Sequence, residues 1–186
     1  MRDVNQPTTD ELLAALAHLQ ASPLDEGPLE LIVSRPTVDE RVVLTNAELR
    51  VEDGLVGDTW RQRGSRNTED GSAEIDRQLT LMNARAIALF AGERSRWPLA
   101  GDQLYVDLNL SEDNLPAGTQ LRLGTAVLEV TALPHTGCAK FRERFGLDVS
   151  RFINSDEGRR LNLRGINARV VSSGTIRTGD TASAVR

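Results

Sequence analysis

Disulfide chemistry is closed to this sequence within one chain, because it holds a single cysteine, Cys138. A lone thiol suits a reducing compartment, so a cytoplasmic location is expected. Aromatic residues make up only 4%, too few for the stacking platforms of single-strand binders. There is no basic excess. Net charge is −5, whereas nucleic-acid binders carry a basic surplus or a basic run. Nucleic acid is therefore not an expected partner, although a local cationic pocket stays open, since net charge says nothing about placement. Long apolar runs are missing too. The longest, Leu12 to Ala17 and Ile87 to Ala91, fall far below the roughly 18 residues that span a bilayer. The first twenty residues show no basic segment leading into an apolar stretch. A soluble chain with no membrane partner is expected.

Lysine is nearly absent: of 22 basic residues, all but Lys140 are arginine. Codon usage in a GC-rich genome accounts for the bias. Even so, the one lysine sits two residues after the one cysteine. One of the two histidines, His135, sits three residues before it.

What remains is an ordinary globular composition, with 39% hydrophobic and 26% charged residues over 186 positions. That suits one domain with a small extension. Thr8 and Glu11 stand at capping-box spacing before an apolar face of Leu12, Leu13, Leu16 and Leu19, and Ser22-Pro23 ends the run. This predicts a peripheral N-terminal helix. The extension is placed at 1–27 and the main domain at 28–186.

Short β-rich runs follow. Leu29 to Ser34 and Arg41 to Thr45 form a hairpin-like pair. Gln78 to Met82 is a strand, and Asn83 caps a helix from Ala84 to Ala91 that stops at Gly92. Gln103 to Leu110 alternates, with Leu104, Val106, Leu108 and Leu110 on one face and Gln103, Tyr105, Asp107 and Asn109 on the other. Two more hairpins are expected, across Gly124-Thr125 and across Ser173-Gly174. Asp53 to Gly71 reads as a long loop, a length often functional in compact domains. Frequent short strands with few helices predict a mainly β fold, a barrel or a sandwich.

The Cys138 segment has a chemical reading of its own. Thr136 is placed to cap a helix from about Cys138 to Phe145, with Phe141 and Phe145 on its buried side and Gly146 as its stop. A thiol in the first turn of a helix meets free amides and the positive end of the dipole. Lys140 and Arg142 add positive potential, and His135 stands near enough in sequence to relay a proton. All of these favour a thiolate. The competing reading makes Cys138 a small buried hydrophobe. One cysteine and two histidines cannot assemble the usual zinc ligand set without carboxylates. No phosphate-cradling glycine loop, nucleophile elbow or helical histidine pair is present.

Several short signatures fall in one order. They are Gly54 to Asp58, Arg77 to Asn83, Leu99 to Asp102, Asp107 to Leu110, Gly118 to Thr131, Pro134 to Gly146, Arg164 to Val170, and finally Gly174 to Ile176 with Gly179-Asp180. Over about residues 28 to 182 the ordered set resembles the MOSC family, named for the C-terminal domain of molybdenum-cofactor sulfurases. Two signatures depart from the family pattern. Asp107-Leu108-Asn109-Leu110 lacks the family's glutamate, and His135-Thr136-Gly137-Cys138 replaces its Pro-Cys pair. The resemblance implies a mostly β fold around a barrel-like core. It also implies that Cys138 carries a persulfide or ligates molybdenum, with His135 and Lys140 beside it. Arg164, Arg77 and Arg169 fall at motif positions and would seat an anionic pterin or phosphate. Asp58 and Asn109 are further candidates for ligand binding.

Two activities follow from the resemblance: a sulfur transferase, or a molybdenum-cofactor-dependent reductase of N-hydroxylated compounds. A cysteine desulfurase or a molybdenum-cofactor enzyme would be the partner. Pyridoxal phosphate is not expected in this chain, which lacks the length for a desulfurase domain. The rival of another class is a non-catalytic module that binds a small anion or a protein, with Cys138 structural.

Overall fold

The computed structural model describes residues 6–186. In chain order its strands are β1 Glu26–Ser34, β2 Val42–Leu44, β3 Asn46–Arg50, β4 Gly54–Leu55, β5 Leu79–Asn83, β6 Leu104–Val106, β7 Gln120–Leu123, β8 Ala126–Pro134, β9 Ile166–Ser172, β10 Gly174–Arg177 and β11 Thr181–Val185. Its helices are α1 Thr9–Ala14, α2 Leu16–Gln20, α3 Trp60–Arg63, α4 Ala84–Ala91, α5 Ala139–Phe145, α6 Leu147–Asn154 and α7 Asp156–Arg160, with 3-10 turns at Ile75–Arg77 and Arg94–Ala100. None of them is long and apolar enough to cross a membrane.

Seven strands close on themselves in the order β1-β11-β7-β8-β9-β5-β6 and back to β1. Every neighbour is antiparallel except β5 and β6, which run parallel. Closure depends on β1, which changes partner along its length. Glu26–Pro28 pair with β11, Leu29–Ile32 with β6, and Ile32–Ser34 with the added strand β2. The mainly β, barrel-like fold expected from the sequence is the observed one.

Period-two side chains from all seven strands fill the barrel. Leu104, Val106, Leu108 and Leu110 join that core together. The opposite face of the run is covered as well at its start. Gln103 and Tyr105 are fully buried, because a layer of helices packs outside β5 and β6. Tyr105 enters a second apolar cluster with Leu12, Phe90, Phe141, Phe145 and Phe152. Gln103 is satisfied by Thr80, whose amide and hydroxyl donate to its Oε1 at 2.9 and 2.7 Å.

Local signals were read well where one turn decides the pairing. The capping box of Thr8 and Glu11 forms, Asn83 caps α4, and β7 pairs with β8 across Gly124-Thr125. Three expectations need correction. The N-terminal helix is split at Ala15 into α1 and α2. The 53–71 stretch is not one loop, since it holds β4 and α3. The Ser173-Gly174 hairpin does not exist. The chain crosses there to a second sheet, ordered β10-β3-β4, while β9 stays between β8 and β5.

Candidate functional site

Asp102, the residue two before β6, has no accessible surface. A buried carboxylate is costly unless its oxygens are matched, and here both are. Oδ2 accepts from Arg164 Nη1 at 2.6 Å, and Oδ1 meets His135 Nε2 at 2.8 Å. Burial alone would raise the Asp102 pKa, but Arg164 and His135 hold it down at about 2. The ionised carboxylate can only accept, so Nε2 of His135 carries the hydrogen and Nδ1 is left as the acceptor in the neutral ring. Burial and then Arg164 push the His135 pKa below its usual value against the pull of Asp102, so the ring is neutral at pH 7.

Three elements bring the groups together. His135 follows directly on β8, and Asp102 stands in the turn before β6. Arg164 precedes Gly165, which leads into β9 at Ile166. Gly165 has φ of +106°, and a Cβ there would lie 2.3 Å from the Leu81 carbonyl oxygen and 3.3 Å from the His135 ring. Only glycine permits this close approach. The Arg164 guanidinium also donates to the Ala100 carbonyl at 3.0 Å and lies 4.6 Å from the centre of the Phe141 ring on α5.

The turn from Leu99 to Asp102 gathers further cations. Arg144 donates to the Leu99 carbonyl at 2.8 Å and Arg35 to the Gly101 carbonyl at 3.0 Å. A Cβ on Gly101 would stand 3.7 Å from an Arg41 nitrogen. Burial, then Arg35 and Arg144, lower the Arg41 pKa. The buried Nε atoms of Arg41 and Arg164 have no hydrogen-bond partner among the described residues.

Cys138 is the N-cap of α5 rather than a residue of its first turn, and makes no side-chain cap bond. Thr136 is not the cap. The thiol is exposed, which removes the reading of Cys138 as a buried hydrophobe. A cavity of about 420 Å³ lies beside it in sequence, lined by His135, Thr136, Ile153, Asn154, Arg159 and Arg164 among others. His135 also lines a smaller one of about 190 Å³. Cys138 is not among the lining residues of either.

The other candidates do not bond to the Asp102 group itself. Lys140 is exposed and pairs with Asp39 at 2.8 Å. Asp58 is buried, and its oxygens accept from the Arg35 side chain at 2.8 and 2.9 Å and from the amides of Arg35 and Trp60. It fixes Arg35. Arg77 pairs with Glu74 at 2.9 Å, and Arg169 with Glu129 at 2.7 Å. Asn109 accepts from the Ser111 amide at 2.9 Å and lines a cavity with Gln20 and Leu24. Arg164 thus shares the Leu99–Asp102 turn with Arg35, Arg41 and Arg144, while Arg77, Arg169 and Lys140 are held in ion pairs of their own.

Sequence reasoning passed over Asp102 and these three arginines. The available signal was Gly101-Asp102, an acid at the mouth of an alternating strand. Among the described residues no cluster of three or more His, Cys, Asp or Glu side chains is placed to hold a metal ion.

A family model described as the MOSC domain matches residues 58–183. No functionally curated protein matches the chain. Among solved structures, the YuaD protein of Bacillus subtilis is similar at 19% identity, with a TM-score of 0.61 over 86% of this chain and 95% of that one. YiiM from Escherichia coli is similar at 19% identity, with a TM-score of 0.56 over 87% of this chain and 70% of that one. YiiM from Geobacillus stearothermophilus is similar at 15% identity, with a TM-score of 0.52 over 88% and 74%. At these identities the likeness concerns the fold.

Proposed function

The chain belongs to the MOSC domain family, and from that membership and the placement of its thiol we propose that it handles sulfur or the molybdenum cofactor through Cys138. One observation carries the reading. The only thiol is uncovered at the start of α5, three residues after an imidazole whose Nε2 hydrogen is committed to Asp102. Neutral His135 then offers Nδ1 as the base that takes the thiol proton, and a thiolate is the form that attacks sulfur or binds a soft metal.

The residues present fit an anionic pterin. The thiol is open, two buried arginine Nε atoms are unpartnered, and four guanidinium groups converge on the Leu99–Asp102 turn. Cys138 would supply one thiolate bond to the metal, and Arg164, Arg35 and Arg41 would face the anionic part. The bound cofactor would supply two-electron chemistry of the kind that reduces N-hydroxylated compounds. The chain's own part is to hold the anion, orient it and manage the proton at His135.

The carrier form of the same reading needs no cofactor. The Cys138 thiolate attacks the outer sulfur of a donor persulfide held by a cysteine desulfurase. A new S–S bond forms at Cys138, the donor's S–S bond breaks, and the donor leaves as a thiolate. This chemistry belongs in a reducing, cytoplasmic setting.

The test is to purify the chain from cells that make the cofactor and measure bound molybdenum. About one metal per chain, lost in Cys138→Ala, supports the cofactor site, since a methyl group cannot replace a coordinating thiolate. No metal, but a mass gain of one sulfur after treatment with a desulfurase and cysteine, supports the carrier. Neither outcome would leave a non-catalytic binding module.

A further inference from the structure

A second cavity, larger than the one beside His135, opens where α3 meets the 3-10 turn at Ile75–Arg77. It measures about 550 Å³, a size typical of small-molecule sites. Of its lining residues only Arg77 was expected at the Cys138 site, and the structure places it here instead. Its wall carries three guanidinium groups, Arg63, Arg66 and Arg77, against a single carboxylate, Glu74. That carboxylate is already engaged, by Arg77 at 2.9 Å and by the Asn67 amide nitrogen at 3.3 Å. Among the described residues Arg63 and Arg66 form no ion pair.

The backbone shapes the mouth. Gly64 and Gly71 have φ of +65° and +74°, and a Cβ on Gly64 would lie 2.3 Å from the Gly71 carbonyl oxygen. The two ends of the loop are pinned there, which holds Ser65 and Arg66 at the rim. Trp60 is buried against the wall and donates Nε1 to the Glu74 carbonyl at 3.2 Å. Partial desolvation and the nearby Arg35 act against the charge of Arg63, while Asp58 acts for it. Three guanidinium groups against one carboxylate leave the concave site with an excess of positive charge, which favours an anion, and guanidinium forks match tetrahedral oxyanions in a bidentate manner.

We propose that this cavity binds a phosphate-type oxyanion, with Arg63 and Arg66 as its direct ligands and Arg77, held by Glu74, as the third donor. The anion is either free phosphate or the phosphate of a small ester.

The test is calorimetric titration of the purified, metal-free chain with inorganic phosphate and, separately, with glycerol phosphate. Ionic strength is fixed with chloride. Saturable binding at one site per chain is expected for at least one of the two, and the tighter binder identifies the source. The Arg63→Gln/Arg66→Gln pair should weaken it by about tenfold or more. Arg63→Lys/Arg66→Lys should recover only part, since an ammonium cannot make the forked contact. Both positions are exposed, so melting temperatures should match the parent chain. Heat no different from added chloride, or equal affinity in the glutamine pair, would overturn the proposal. The titration reads no sulfur or metal chemistry, so its failure leaves the Cys138 reading standing, and the reverse also holds.

Discussion

Asp102 is the residue on which the candidate site turns, and removing its charge should be expensive. In Asp102→Asn the Arg164 guanidinium stays buried without its counter-ion. Breaking one partner of a buried pair typically costs about 3–5 kcal/mol, and urea unfolding at neutral pH should show a loss of that order. The pH profile gives a second readout. The Asp102 carboxyl sits at about 2 in the fold against an ordinary 3.8. Its contribution is present above 3.8 and is lost as pH falls toward 2. His135 acts higher on the scale. Its folded value lies below the ordinary 6.5, so the unfolded chain binds the proton more readily. Stability should therefore begin to fall as pH drops through 6.5. His135→Gln should flatten that upper limb and shrink the lower one without removing it, since Arg164 still holds the Asp102 carboxyl down. An unchanged upper limb would mean the imidazole is not buried neutral. Cys138 was legible in the sequence because it is unique. Asp102 was not, because its meaning comes from partners 33 and 62 residues away. No local pattern marks an acid as buried.

At the level of elements, two glycines separate what one turn decides from what distant strands decide. Gly124-Thr125 lies between strands that pair with each other, so the hairpin β7–β8 could be read directly. Ser173-Gly174 carries an equally good turn signal, yet β10 leaves its predecessor to pair with β3. The cause is nonlocal. A Cβ on Gly174 would lie 2.5 Å from the Ala126 amide nitrogen, so the glycine marks a close crossing. Gly165 is the sharper test. In Gly165→Ala the methyl group meets a carbonyl oxygen on β5 at a φ that L residues rarely adopt, and the shift must carry Arg164 and His135 with it. A loss of more than about 2 kcal/mol is expected, beyond the cost of left-handed geometry alone. Gly118→Ala is the matched control. Its φ is +89° with nothing within 4 Å of a Cβ, and the cost should stay near 1 kcal/mol. Equal losses at the two positions in thermal melts would show that the crowding at Gly165 relaxes.

Across the whole molecule, the charge balance conceals an uneven distribution: the chain is net acidic at −5 while some of its arginines gather at one turn and one cavity. Barrel closure is likewise invisible from composition, because it rests on the first residues of β1 meeting β11 at the far end of the chain. The expected extension, 1–27, and main domain, 28–186, meet inside that strand, since β1 begins at Glu26. Two truncations follow. A chain starting at Ser22 loses α1 and α2 but keeps the whole barrel and the hydrogen bond from Asn83 Nδ2 to Ser22 Oγ. It gives up the burial of Leu12 and Leu19, at most about 3–6 kcal/mol, and should still melt cooperatively at a lower temperature. A chain starting at Leu29 loses the Glu26–Pro28 pairing as well, leaving β11 paired with β7 alone and the barrel with open edges. That chain should lose its sharp transition, bind a hydrophobic dye and aggregate. Far-ultraviolet circular dichroism melts of the two would decide the matter. A cooperative melt in the shorter chain would show that β11 is held by β7 alone, and that the seam to β1 is dispensable.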